Sequence, residues 1–305
     1  MNIIFDALDN FYPFNDKFSI YLHKIAGRFL GEIIIESMLS NRRGTKYKSI
    51  FLKDPALNKS QEFKSVLKRY LTIKDSQPKT AAAYADVYYK SSDTKPLYIS
   101  YPWDILEIKQ DYLAKLKRQI SNKAEIEKAV EIDGSVVIED GVTILNGARV
   151  KGNVYIGKKS FIANNALIRN DTSIGRDSIV AYSSDIKDCL MQDRTGIGPL
   201  SFFGDSMLGY ECFCGGMVRV SNYRLDKKNV KVLIKGKEVD TKKRFLGCFI
   251  GNKTSLGIGS IILPGRKLGN NVIIGPNVTV SKNIDSNRKV VLKQSLSIER
   301  IDEKG

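Results

Sequence analysis

The sequence predicts a mainly β protein: a left-handed parallel β-helix of hexapeptide repeats, preceded by a small α/β domain and a connecting helix. Two observations carry this prediction. From Ile132 every sixth residue is aliphatic and β-branched through ten positions, namely Ile132, Ile138, Ile144, Val150, Ile156, Ile162, Ile168, Ile174, Val180 and Ile186. The series resumes as Leu208, Cys214 and Val220, and again as Ile250, Leu256, Ile262, Leu268, Ile274 and Val280. An internal repeat of this regularity outweighs local propensity as a guide to architecture.

Period six excludes a helix, whose faces recur every 3.6 residues, and a lone strand, whose faces recur every two. It fits a coil of three short strands, each sending one aliphatic side chain to the axis. Glycines often follow the inward residue, as at Gly157, Gly175, Gly209, Gly251, Gly269 and Gly275. Gly and Asn suit corners because they accept positive φ at little cost. Stacked coils then pair their backbones at strand spacing and bury the aliphatic column.

The β-helix is expected over residues 130–283, with two interruptions. Ile186 to Leu208 is out of phase with a six-residue step, which reads as a small excursion near 190–202. Between Val220 and Ile250 the period lapses while charge rises. Arg224, Lys227, Lys228, Lys231, Lys235, Lys237, Lys242, Lys243 and Arg244 face only Asp226, Glu238 and Asp240. Alternation at Val230, Val232 and Ile234 makes this a basic hairpin arm over 221–246 that leaves the prism, and such a loop is a functional candidate.

Residues 1–98 lack the period and form the expected small α/β domain. Met1–Phe5 reads as a strand, 18–39 as a buried helix interrupted by Glu32 and Glu36, and 61–73 as a second helix. A linker and connecting helix follow over 99–129, its amphipathic stretch at 105–120 opened by Pro102 and Asp104. Residues 284–305 read as one strand and a charged tail.

Apolar residues at 42% and charged residues at 27% give a globular chain with ample core material. A net charge of +16 points to anionic partners, either phosphorylated small molecules or nucleic acid. One histidine, His23, excludes any two-histidine zinc site within a chain. The four cysteines, Cys189, Cys212, Cys214 and Cys248, lack metal-ligand spacing, so no metal is expected. With no signal peptide and no uninterrupted apolar span, the expectation is a reduced, cytoplasmic protein without membrane contact.

Several segments carry a resemblance: Tyr101-Pro-Trp-Asp-Ile-Leu-Glu107, Ile168-Arg-Asn-Asp-Thr-Ser-Ile-Gly175, Phe203-Gly-Asp-Ser-Met-Leu-Gly209, Ser221-Asn-Tyr-Arg-Leu-Asp-Lys-Lys-Asn-Val-Lys231 and Val239-Asp-Thr-Lys-Lys-Arg-Phe-Leu-Gly247. Together they resemble the archaeal type of bifunctional sugar-1-phosphate nucleotidylyltransferase/amino-sugar-1-phosphate acetyltransferase, over residues 100–295. The resemblance implies a homotrimer that uses acetyl-CoA and binds a phosphorylated sugar or nucleotide-sugar. It implies a substrate pocket of Arg169, Lys187, Asn222, Lys228 and Lys231, and cofactor contacts at Cys248, Gly257 and Ile258. Guanidinium and ammonium groups for a phosphate, and an amide for hydroxyl groups, agree with that chemistry.

The sequence departs from the family at the base. Where the family has a histidine and, three residues on, a tyrosine, this chain has Pro199 and Phe202, neither of which moves a proton. Asp205, Glu211 and Asp226 are the remaining candidates. The turn Gly215-Gly216-Met217-Val218 also departs from the family's Gly-Ala-Gly-Thr, and no Gly-rich phosphate loop opens the chain, so residues 1–98 read as a degenerate remnant of a nucleotidylyltransferase domain. The expected function is an acetyltransferase-like protein of nucleotide-sugar metabolism that keeps its substrate pocket with weakened or altered transfer. The alternative is a non-catalytic scaffold or regulatory subunit whose arm binds RNA or a partner enzyme.

Overall fold

In the computed structural model, residues 101–298 are described continuously, with 2–5, 24–30, 32–34, 36, 49–52, 60–68, 72–74, 84–85, 88–89 and 97–100 before them. Three parallel sheets of eight, nine and eight strands form the walls of a triangular prism, which the chain visits in turn. Face A runs from Gln119–Ile120 to Lys267–Leu268, face B from Glu125–Ile126 to Lys289–Val290, and face C from Glu131–Asp133 to Thr279–Val280. Pairing is in strict register, as in Ile138↔Ile156↔Ile174 on face A, Ile144↔Ile162↔Val180 on face B and Val150↔Ile168↔Ile186 on face C. These three columns fill the axis and are essentially inaccessible to solvent.

The prism begins at Gln119, before the expected 130, because the connecting helix is short. That helix, α2 (Pro102–Ala114), ends ahead of Lys115 rather than continuing to Ile120. It starts as its sequence requires: Pro102 lacks the amide that would go unpaired there, and Asp104 Oδ2 accepts from the amides of Ser100 and Tyr101, both at 2.8 Å.

No excursion occurs near 190–202. Met191, Ile197 and Phe203 continue the inward columns, and the chain instead drops one residue at each of two corners, between Lys187 and Leu190 and between Gly204 and Met207. The register Ile174↔Met191↔Leu208 survives both deletions. Asp188 and Asp205 turn these tight corners at φ 53° and 49°. Corners are less exclusive than composition suggests, since Lys159, Arg194, Leu200 and Met217 also adopt left-handed φ near 58°.

The first hundred residues contain a four-stranded parallel sheet in the order Thr72–Lys74, Ser49–Leu52, Asn2–Phe5, Tyr84–Ala85. Helix α1 (Gln61–Leu67) is capped by Ser60 and stops before Ile73, which lies in a strand. Within the helix expected over 18–39, Lys24–Ile25 instead pairs with Arg28–Phe29 as a hairpin, and helix is found at Leu30, 32–34 and Glu36; residues 18–23, 31, 35 and 37–39 lie outside those described. Gly27 makes that hairpin possible: it turns at φ 74°, and a Cβ there would meet the Tyr155 hydroxyl at 2.6 Å.

From Tyr155 onward the outward residues of face A, Tyr155, Ser173, Leu190, Met207 and Phe249, are buried, whereas Gln119 and Val137 in the first coils are not. The hairpin covers its lower part: Ala26 N donates to Ser173 Oγ (3.0 Å), and Gln192 both accepts from Lys24 N (2.8 Å) and donates to Lys24 O (3.0 Å). Higher up, Trp103 of α2 packs on Phe249. The arm, a hairpin of Lys231–Ile234 with Lys237–Asp240, lays Val230, Val232, Ile234 and Leu246 into the same apolar cluster, and Lys243 Nζ binds Glu107 of α2 at 2.6 Å. Among the described residues, faces B and C have no such cover. Among the described residues, no helix is long and apolar enough to cross a membrane.

Candidate active site

The outer side of face C and the corner that joins it to face A hold most of the anticipated pocket. Arg169, Lys187 and Gly204 are Cα partners in consecutive coils, so their outward positions form one row. Gly204 leaves a notch in that row. A Cβ there would lie 2.6 Å from Asn222 Nδ2 and 3.0 Å from the Phe202 ring, which fill the space instead.

Asp205, at the tight corner, is the hub. Its Oδ2 accepts from Asn222 Nδ2 at 2.5 Å and from Lys187 Nζ at 3.1 Å, and its Oδ1 lies 3.3 Å from the same ammonium. Lys187 also reaches Asp188 at 3.4 Å, and its ammonium sits 5.3 Å from the centre of the Phe245 ring. Burial opposes the charge on Lys187, yet Asp205 and Asp188 outweigh it and raise its pKa. Arg169 makes a bidentate pair with Asp185 at 3.0 and 2.9 Å, which holds its pKa up against desolvation.

The neck of the arm fixes this geometry. Tyr223 and Phe245 bridge and stack at 5.0 Å, Leu246 N donates to Asn222 O, and Gly247 N donates to Asp205 O, each at 2.9 Å. A side chain on Gly247 would collide with Ser206 Oγ and Gly204 O, so the neck can pass only as glycine.

Other anticipated residues fall elsewhere. Lys231 pairs with Glu238 across the arm hairpin at 3.3 Å, and Lys228 is exposed in the turn before it. Asp226 binds Arg224 through two hydrogen bonds, which hold its carboxyl down to about 2. Glu211 lies at the corner between faces A and B, bound to Arg194 at 2.7 Å, and Arg194 leads the groups that lower its pKa. Neither carboxylate joins Lys187. Cys248 is sealed in the axis, where burial pushes its thiol up, so it presents no sulfur to a cofactor.

Pro199, Gly216 and Ile258 succeed one another along the edge between faces B and C, as do Gly257 and Gly215 beside them: Pro199 atoms lie within 3.5 Å of a Cβ on Gly216, and Ile258 N within 2.9 Å of one on Gly215. Phe202 links that edge to the corner across face C. Phe245, Asp185 and Asp188 are the site residues that sequence reasoning missed, whereas Asp205 was among its candidates for proton transfer. Asp185 and Asp205 stand one coil from the cations they bind, a spacing visible in the repeat once its deletions are placed.

Residues 247–282 match the family model described as bacterial transferase hexapeptide (six repeats). The chain is 38% identical over 200 residues to the bifunctional protein GlmU of Methanococcus maripaludis, covering 66% of this chain and 48% of that protein. It is 36% identical over 107 residues to the uncharacterized acetyltransferase YaiX of Escherichia coli O6, covering 35% of this chain and 46% of that protein. Among solved structures, the UDP-N-acetylglucosamine O-acyltransferase LpxA of Moraxella catarrhalis aligns over 56% of this chain and 66% of its own, at 16% identity and a TM-score of 0.40. The repeat at residues 247–282 is the one which that family model describes, and the chain spans less than half the length of these curated relatives.

Proposed function

We propose that the chain transfers an acetyl group from acetyl-CoA to the amine of a phosphorylated amino sugar or nucleotide-sugar, with Asp205 taking the proton. The supporting observation is that, of the three candidate carboxylates, Asp205 alone is joined to both Lys187 and Asn222. In this reading the amine nitrogen attacks the thioester carbonyl, the amine proton passes to Asp205, the C–S bond breaks with coenzyme A leaving as thiolate, and Asp205 returns the proton to that sulfur so that free thiol is released. Arg169 and the arm cations receive the phosphate, and the thioester lies along the Pro199–Ile258 edge. Loss of the family's histidine forfeits part of the rate, since a positioned base contributes about 10²- to 10⁴-fold.

The same reading makes the chain a homotrimer. Outward residues Phe161, Ile179, Phe213 and Ile273 line face B at 37–61% exposure, continued on the edge by Tyr182, Leu200, Met217 and Ile258. A contiguous apolar strip on an otherwise charged protein suits burial between copies.

The test is thiol release from acetyl-CoA with glucosamine-1-phosphate and galactosamine-1-phosphate, for native protein, Asp205→Asn and Pro199→His. Turnover in the native protein that Asp205→Asn abolishes supports the proposal. Turnover insensitive to Asp205→Asn removes that residue's role, and silence in native protein and Pro199→His alike favours the scaffold whose arm binds RNA or a partner protein.

A further inference from the structure

Among the described residues, Lys109 Nζ is the one buried side-chain nitrogen or oxygen without a hydrogen-bond partner. Its side chain is wholly inaccessible to solvent, an expensive position for an ammonium unless charge of opposite sign surrounds it. Helix α2 delivers it to the corner that carries the site. The next residue, Gln110, donates to Asp188 Oδ1 at 3.3 Å, and Asn170 donates to Asp188 Oδ2 at 3.1 Å.

The charged and titratable groups that face Lys109 from the corner are Asp171, Asp188, Asp205 and the thiol of Cys189. On its own helix, Glu107 is turned to Lys243 of the arm. Asp188 and Asp205 occupy the same corner in successive coils and share a single ammonium, Lys187. Two carboxylates on one cation leave an excess of negative charge at this largely enclosed corner. We propose that Lys109 is the buried counter-charge of the Asp188–Asp205 pair, a positioning residue that keeps Lys187 and Asn222 aligned on Asp205. Its effect on catalysis rests on the acetyl-transfer reading, whereas its effect on the fold does not.

The titration directions agree. On balance desolvation holds the Lys109 amine below its usual value, and Asp188, first among the surrounding groups, opposes that fall. Burial would raise Asp188, yet its pKa is lowered, with Lys109 leading the groups responsible.

The test uses the full chain with Lys109→Met, similar in length and apolar. Thermal melting between about pH 4 and 8 is expected to show the variant below native protein at neutral pH, with the gap closing as Asp188 protonates. Adding Asp188→Asn to Lys109→Met should restore the melting temperature at neutral pH. A variant as stable as native protein at neutral pH, or a double variant that stays as unstable as the single one or unfolded, overturns the proposal. In the pH profile of thiol release, the acidic limb of Lys109→Met should move up by about one unit. Native protein without activity would sink the acetyl-transfer reading and leave the melting data to decide the role of Lys109.

Discussion

The amide of Asn222 lies 2.5 Å from Asp205 Oδ2 only because Gly204, one residue before Asp205, has no side chain in the way. The relationship joins a residue on the arm's neck to one on the prism, and it is fixed by backbone bonds on both sides.

Gly204→Ala is therefore expected to displace Asn222 and the Phe202 ring. The overpacking should cost about 1–3 kcal/mol of stability, read by thermal melting. Acceptor affinity, measured by calorimetry with glucosamine-1-phosphate, should fall at least about tenfold, equivalent to about 1.4 kcal/mol. Unchanged affinity would place the acceptor away from this notch.

Asp205→Asn keeps the shape of the corner and removes its charge. Lys187 retains Asp188 as a partner, so the fold should survive while thiol release drops about 10²- to 10⁴-fold. A steady-state assay beside a melting curve separates the two effects.

Phe203 is the one aromatic ring in the face C column, inserted between the two shortened corners and fully buried. Phe203→Ala should cost about 3–5 kcal/mol, more than an Ile→Val change elsewhere in the axis at about 0.5–1.5 kcal/mol. Chemical denaturation of the two variants makes the comparison.

Lys267 is nearly buried on face A, and desolvation lowers its pKa to about 8. Because its folded value is depressed below the unfolded one, the unfolded chain binds the extra proton between those values. Stability should then rise with pH from about 8 toward about 10.5 and stay flat below, the whole effect being on the order of 3 kcal/mol. Lys267→Met should abolish that slope in melting temperature; an unaltered slope would assign it to other groups.

Phe213→Lys places a charge in the middle of the exposed strip, at a residue 61% accessible in the single chain. Sedimentation or light scattering should show the proposed trimer converted to smaller species, with the melting of the isolated prism little changed. A native protein that runs as a monomer refutes the assembly directly.

Much of the architecture was legible because an inward position recurs wherever a coil closes. Ile132 to Ile186 announce the prism, and the nine cations of the arm announce a departure from it. The tight corners were not legible: a residue lost at a turn leaves the axial side chains Met191 and Phe203 in place but shifts their numbering, so a deletion reads as an insertion. The hairpin at Ala26-Gly27 hid within an apolar run, since the apolar side chains on either side pack into one core. At the site, Lys187 and Asn222 were visible, but their convergence on Asp205 depends on which corners share an edge. Glu211 stood only six residues from Asp205 in sequence and fell on a different edge. Lys109 gave no signal, because nothing in a helix of mixed composition marks which lysine is sealed.

A stack of coils is ordinarily a ladder in which each rung grips only the two beside it, and such a ladder frays from its ends. Here α2 lies across several rungs of face A at once, and the arm, itself an outgrowth of a rung, is tied back to α2 by Lys243 and Glu107. The strap and the rungs it crosses share one apolar cluster, so no rung beneath it can let go alone. Pulled from its ends, the chain should give way coil by coil only outside the strap and then yield the remainder in a single rupture.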